Sequence, residues 1–177
     1  IAKRMNVEKH YIIKVDVQQF IKSSLVSNTS DVTQSEKSIE NTYVPARNII
    51  FLSFGASLAE SLGVDRIYLG VSGEDYQGQR PDTRKVFIDK YQELINVGLN
   101  CTVNEAKTLQ LIAPFTNTSR RERIRKGLEL GVDFSLTRSC YQVDNNGVSC
   151  GVCDACRARL EAFKEIGIED PIPYIKR

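Results

Sequence analysis

Four of the chain's five cysteines fall in one short stretch, spaced Cys140-x9-Cys150-x2-Cys153-x2-Cys156. Thiolates separated by two residues can grip one cation, because the intervening turn brings both sulfurs to the same side. Four sulfurs fill a tetrahedral zinc shell and leave no position for water or substrate. A zinc ion held there would pin the loop 140–150 against the helix that follows, and its role would be structural. The run Cys-x2-Cys-x2-Cys also matches part of a ferredoxin-type iron–sulfur ligand set. A nucleic-acid-binding ribbon usually has two separated Cys-x2-Cys pairs, which this lopsided set lacks. Four unliganded thiols are the bland alternative. Cys101 stands alone and reads as a small core residue.

Three polar segments carry the other groups capable of binding. In "YVPARN", residues 43–48, Pro45 precedes a helix start, so Arg47 and Asn48 sit in or near the first turn. Backbone N–H groups and a guanidinium there can hold an anion; simple capping beside an exposed arginine is the alternative. "EDYQGQRPDTR", residues 74–84, combines Asp75, Tyr76, Asp82 and Arg84 with Gly78 and Pro81. Carboxylates can accept from the N–H edge of a purine-like base, tyrosine can stack on it, and arginine can pair with phosphate or carboxylate. A solvated loop with a proline turn is the competing reading. "TSRRERIRK", residues 118–126, is basic and reads as a solvated helix face, although Arg120 in its first turn could meet a phosphate. His10, the only histidine, has no catalytic partner near it in sequence and reads as structural or exposed.

These groups need elements to place them. "YIIKVD", residues 11–16, reads as a strand. Residues 26–41 are polar and aperiodic, a long loop. Residues 47–62 read as a helix buried on most sides and stopped by Gly63. "RIYLGV", residues 66–71, is a second strand. Val86, Phe87, Tyr91, Leu94 and Ile95 mark the inner face of a helix that ends at Gly98. "LQLIA", residues 109–113, is a third strand. Ser119 and Glu122 form a capping box for a helix up to Leu130, closed by Gly131. A last helix turns Leu160, Phe163 and Ile166 inward and stops at Gly167. The alternation of strand and helix predicts an α/β fold with a parallel sheet. Ligands bind such sheets beyond the carboxyl ends of the strands, where residues 72–84 and 114–121 fall.

Bulk properties narrow the class. The chain has 177 residues, 41% of them hydrophobic, with 24 basic and 22 acidic side chains and a net charge of +2. A core can form, and the charge is no nucleic-acid footprint. No apolar run approaches the roughly 20 residues of a membrane helix, and no secretory signal pattern is present. The cytoplasm is the expected compartment, where thiols stay reduced and a cysteine cluster points to metal. The opening Ile1-Ala2-Lys3-Arg4 reads as the tail of a helix, with an N-terminal piece expected upstream.

Together, "VPARN", "GVSGEDYQGQRPDTR", "GLELGVDFSLTRSCY" and "CGVCDACRARLEAF…G…DP…Y" resemble the 7-cyano-7-deazaguanine synthase family, in that family's order, across nearly all the chain from Tyr43. The resemblance implies a three-layer, adenine-nucleotide α-hydrolase-like (Rossmann-like) fold and one zinc ion. It implies an ATP-dependent ligase of queuosine precursor synthesis that turns 7-carboxy-7-deazaguanine and ammonia into 7-cyano-7-deazaguanine, with Mg2+ assisting ATP. It places the zinc ligands on Cys140, Cys150, Cys153 and Cys156. Substrate and nucleotide fall to Arg47, Asn48, Asp75, Tyr76, Asp82 and Arg84, with Arg120 a further candidate. Asp82 or Asp75 would read the base, and Arg47 and Arg84 would steady anionic groups. It further implies a homodimer with small-molecule partners, and neither membrane nor nucleic acid. Residues 1–135 would form the nucleotide- and substrate-binding part and residues 136–177 the zinc-binding segment.

Three departures accompany it. The family's Ser-Gly-Gly-x-Asp-Ser phosphate loop has no counterpart. Residues 77–84 read "QGQRPDTR" against the family's Gly-Tyr-Pro-Asp-Cys-Arg. Arg120-Arg121-Glu122 stands where the family has Lys-Ala-Glu. Three alternatives stay open beside the ligase: a relative passing an activated deazaguanine or other acid to a different nitrogen nucleophile, a tRNA-thiolating pyrophosphatase, and a zinc-stabilised nucleotide- or RNA-binding module without catalysis.

Overall fold

A computed structural model describes residues 1–17, 21, 23, 43–73 and 80–175. The chain divides into two compact units, Pro45–Arg123 and the combination of Ile1–Val44 with Ile124–Arg177. The boundary expected at 135/136 falls within the second of these. Among the described residues no helix is long and apolar enough to cross a membrane.

In the unit Pro45–Arg123, helix α1 (Arg47–Leu62) leads into strand β1 (Arg66–Tyr68). A 3-10 turn (Pro81–Thr83), helix α2 (Lys85–Gly98), a short helix α3 (Asn100–Val103) and strand β2 (Gln110–Ile112) follow. Helix α4 (Arg120–Glu129) begins at its end. The two strands pair in parallel, Ile67 opposite Leu111. Leu52, Ala56 and Ala59 of α1 and Tyr91 and Ile95 of α2 form the core with Leu109, and Ile67, Leu69 and Leu111 pack against it. Alternation along a strand sends Ile67 and Leu69 to one face and Arg66 and Tyr68 to the other. The helices therefore cover one face of the sheet, and Tyr68 on the opposite face is 66% exposed.

Helix α1 ends as expected. Gly63 takes φ 65, and the Gly63 and Val64 N–H groups donate back to the Glu60 and Ala59 carbonyls. Positive φ costs glycine nothing, so it closes the last turn.

Several expectations need correction. Residues 11–16 form no strand, and Tyr11, Ile12, Ile13 and Val15 are exposed. An extended apolar run becomes a strand only beside a neighbour, and none pairs with it among the described residues. Residues 2–6, by contrast, form turns with the bonding of a helix end: the Met5 N–H donates to the Ile1 carbonyl, Asn6 takes φ 50, and the Asn6 and Val7 N–H groups donate to the Lys3 and Ala2 carbonyls. Strand β1 stops at Tyr68, short of the expected Val71. Helix α1 is buried along one stripe only, and Phe51 and Phe54 are exposed. On α2 the inner face runs through Ile88, Tyr91 and Ile95, while Val86 and Leu94 point outward; the i, i+3, i+7 rhythm overrides the apolar type of those two. The loop 26–41 lies outside the described residues.

Among the described residues, the edge of β2 away from β1 is met by a side chain. The Gln92 amide donates to the Leu109 carbonyl (2.8 Å), and its oxygen accepts from the Leu111 N–H (2.7 Å). Beyond the carboxyl ends of the strands, the Gly73 N–H donates to the Thr116 carbonyl at 3.1 Å. Arg123 bonds both the Ser72 hydroxyl and the Thr118 carbonyl, joining the same two loops. A β-carbon at Gly73 would overlap the Thr116 carbonyl oxygen. Gly73→Ala is accordingly expected to lower stability by about 1–3 kcal/mol, read as a shift in the urea midpoint with unchanged slope.

Candidate metal centre and binding segments

In the unit that includes Ile124–Arg177, a 3-10 turn (Phe134–Leu136) precedes Cys140, and helix α5 (Asp154–Glu165) follows Cys153. Between them the chain doubles back. The Asp144 carboxylate accepts from the Asn146 and Val148 N–H groups at 2.9 and 2.7 Å, and Gly147 turns at φ 78. Val143 then bridges Ser149, which returns Cys150 to the side of Cys140. A second turn at Gly151 (φ 74) carries the chain to Cys153, the residue that opens α5, and Cys156 lies in its first turn.

The result is a cage of sulfur. The four Sγ atoms lie within 4.8 Å of one another, and Cys150 and Cys156 are 4.0 Å apart. None forms a disulfide. Tetrahedral thiolates about 2.3 Å from zinc stand about 3.8 Å apart, so the cage closes on an ion with a contraction of at most about 1 Å. Cys150, Cys153 and Cys156 are buried and Cys140 partly so. Backbone N–H groups aim at the sulfurs: Gln142 and Cys150 donate to Cys140 at 3.2 Å, and Cys153 to Cys150 at 3.4 Å. Such donors favour thiolate over thiol. Burial pushes the Cys150 thiol up, yet the Val152 and Cys153 N–H groups with the Cys140 and Cys153 side chains outweigh it and bring it down to about 7. Burial dominates at Cys156 and raises it. A soft four-sulfur donor set suits zinc or an iron–sulfur cluster.

Helix α5 is held by a knot that spacing alone does not reveal. The Arg159 guanidinium meets the Asp170 carboxylate with two bonds, 2.6 and 2.8 Å, with both side chains at least 93% buried (relative exposures 7% and 2%). Arg159 also donates to the Thr137 hydroxyl (2.8 Å) and the Phe134 carbonyl (3.2 Å). The Tyr174 hydroxyl donates to Asp170 at 2.7 Å, and the Tyr174 ring lies against Gly151 in the cysteine loop. Burial alone would raise the Asp170 carboxyl; the bonds from Arg159 and Tyr174 prevail and hold it below the ordinary carboxylate range. Arg159 further lies 5.3 Å from the Phe163 ring, which meets Phe134 edge-on. One signal was legible: Arg159 falls on the same α5 stripe as Cys156 and Phe163, an odd place for a solvated charge.

The polar segments lie in the other unit. Asn48 is buried, and its N–H donates to Asp82 Oδ2 at 3.2 Å. Its side-chain amide donates to the Asp82 carbonyl at 3.1 Å. At the first turn of α1 the Asn48 N–H is thus met by a carboxylate of this chain. Arg47 and Arg84 are exposed. Arg120 opens α4, half-buried and partnered. Asp75 and Tyr76 lie outside the described residues. The Ser119–Glu122 capping box forms, with Ser119 N–H to Glu122 at 2.7 Å and Glu122 N–H to Ser119 at 3.3 Å. A cleft of about 320 Å³ opens at the carboxyl end of β2, lined by Lys85, Ile88, Asp89, Ile112, Pro114 and Asn117 among others. Cys101 is buried, as expected, and His10 is exposed.

Two outcomes follow from this geometry. Cys156→Ser is expected to reduce bound metal from one equivalent to a small fraction, measured by elemental analysis of the purified protein, since three sulfurs leave the cage open. Asp170→Ala strands a buried guanidinium and is expected to cost about 3–5 kcal/mol, measured by denaturant unfolding.

Comparison with known proteins agrees with this layout. The family model described as "Queuosine biosynthesis protein QueC" matches residues 1–167. The chain is 41% identical over 181 residues to the 7-cyano-7-deazaguanine synthase of Rickettsia conorii, covering 99% of this chain and 78% of that protein. It is 41% identical over 180 residues to the enzyme so named in Nostoc punctiforme, covering 98% and 79%. With that of Nitrosococcus oceani it shares 42% over 175 residues, covering 98% and 77%. A parallel α/β sheet, a four-sulfur cage and a match along nearly the entire length establish that the chain belongs to the QueC family of queuosine biosynthesis proteins.

Proposed function

We propose that the protein is an ATP-dependent ligase that forms 7-cyano-7-deazaguanine from 7-carboxy-7-deazaguanine and ammonia. The observation that carries this reading is the 41% identity to 7-cyano-7-deazaguanine synthases over 99% of the chain. A carboxylate is a poor electrophile, so the reaction needs two activations. The carboxylate oxygen attacks the α-phosphorus of ATP, pyrophosphate leaves, and an acyl adenylate results. Ammonia adds to its carbonyl, AMP leaves, and a proton is lost to give the amide. The amide oxygen takes a second adenylyl group with loss of pyrophosphate. Departure of AMP and the two nitrogen protons leaves the nitrile.

The chain's own residues have binding, orientation and charge to supply. Arg47 and Arg84 are exposed and make no ion pair among the described residues, which suits them to phosphate or carboxylate oxygens. Arg120, at the start of α4, suits an anionic group near β2's carboxyl end. Tyr76 suits stacking on the base and Asp75 suits its N–H edge, while the Asp82 carboxylate is already engaged by the Asn48 N–H. Asn48 supports the first turn of α1. Mg2+ bound with ATP supplies neutralisation of phosphate charge.

In the same reading Cys140, Cys150, Cys153 and Cys156 hold one zinc ion, which supplies structure. Four protein sulfurs leave it no open position for substrate. The fold is the three-layer, adenine-nucleotide α-hydrolase-like one, with residues 1–135 serving nucleotide and substrate and residues 136–177 the zinc. The protein acts as a homodimer in the cytoplasm, on small molecules.

The test is product analysis. Protein incubated with ATP, Mg2+, 7-carboxy-7-deazaguanine and ammonium is expected to release AMP and pyrophosphate, two of each per nitrile. Omission of the acid should abolish both. ATP turnover that ignores the acid, or the amide as final product, would sink the reading. A colourless preparation with one zinc is expected; a brown one with iron would replace the zinc assignment.

A further inference from the structure

We propose that Asp82 is a positioning residue. It caps helix α1 from outside the helix and so fixes Arg47 relative to Arg84, and it does not itself read the substrate. Its functional half rests on the ligase reading above; its structural half stands alone.

Helix α1 lacks a cap of its own. The residue before its first turn is Ala46, which has no acceptor and sits at φ 55, a left-handed conformation that a β-carbon disfavours. The first N–H groups of a helix have no partner within it. The N–H of Asn48 is one of them, and Asn48 is only 3% exposed. Asp82 Oδ2 accepts from that N–H at 3.2 Å, which places a full negative charge at the positive end of the helix.

The contact is reciprocal. The Asn48 amide donates to the Asp82 carbonyl, so the backbone of the turn is gripped as well as its side chain. The turn is itself held firmly. Pro81 presets its first φ, and the buried Thr83 hydroxyl donates to the Arg80 carbonyl at 2.9 Å. Asp82 makes no ion pair among the described residues, so its charge is met by the helix end. Arg47 adjoins one partner of this clamp in sequence, and Arg84 is two residues from the other. Loosening the clamp frees both guanidinium groups at once.

An amide oxygen can accept the same N–H bond that a carboxylate accepts. Asp82→Asn should therefore keep most of the clamp and Asp82→Ala none of it. A residue that reads the base through its charge would fail equally in both. Hydrogen exchange on the ligand-free protein tests the cap without reference to activity. The Asn48 amide is expected to exchange about ten-fold faster in Asp82→Ala and within about three-fold of the parent rate in Asp82→Asn. Steady-state kinetics tests the positioning. Asp82→Ala is expected to raise the KM for the acid about ten-fold with kcat changed less than about three-fold, and Asp82→Asn to recover most of that loss. Adding Ala46→Gly to Asp82→Ala relieves the left-handed alanine and should restore part of the KM.

Equal kinetic defects in the Asn and Ala variants would overturn the proposal and return Asp82 to the substrate. Unchanged exchange at Asn48 in the Ala variant would refute the cap. If the parent protein makes no nitrile, the ligase reading fails, and the exchange result still decides the cap.

Discussion

The sulfur cage depends on a charge that has been taken out of water. Arg159 and Asp170 are both buried, and a buried guanidinium or carboxylate persists only if nearly every donor and acceptor is met. Here Asp170 receives Arg159 and Tyr174, while Arg159 also satisfies Thr137 and Phe134. One pair thus ties the helix that carries Cys156 to the turn before Cys140 and to the segment ending at Tyr174. The apolar contact of Phe163 with Phe134 fills the space beside it. Four thiols can meet only if these three pieces of chain already converge. An ion bound by the four sulfurs would close the final ångström and lock the converged pieces in place.

The other unit shows the same economy with a smaller clamp. A helix that starts on an alanine in a left-handed conformation has no internal means of satisfying its first turn. The neighbouring 3-10 turn supplies an acceptor, and the helix returns a donor to that turn's backbone. Gly73, Thr116 and Arg123 draw together the two loops beyond the strand ends in a comparable manner. In both places side-chain and backbone hydrogen bonds fix the segments that carry polar groups, while Arg47 and Arg84 are exposed.

What could be read beforehand was local. Gly63 closes α1 where its sequence says, because only the last turn and one positive φ are involved. The Ser119–Glu122 box needs three residues and forms. The cysteines announced their convergence by density. Errors arose wherever a distant partner decides. "YIIKVD" has the composition of a strand, but a ladder requires a neighbour, and composition does not say whether one is there. Phe51 and Phe54 are apolar yet outward-facing, since burial depends on what lies opposite. Arg159 and Asp170 are separated by a helix end and a turn, so their pairing follows from the folded path alone. The bond that Asp82 makes was hidden for the same reason. Its partner at Asn48 is 34 residues away.

Gln92 carries a last consequence. Its amide offers β2 one donor and one acceptor at the spacing a further strand would use, and both are already taken by Leu109 and Leu111. A lateral newcomer would have to evict a side chain that is tethered to its own helix and therefore always close at hand. The sheet is in effect hemmed along that border, as a cloth is hemmed against fraying. Copies of this chain that meet in solution are steered away from stitching themselves strand to strand there, a common first step toward insoluble fibres.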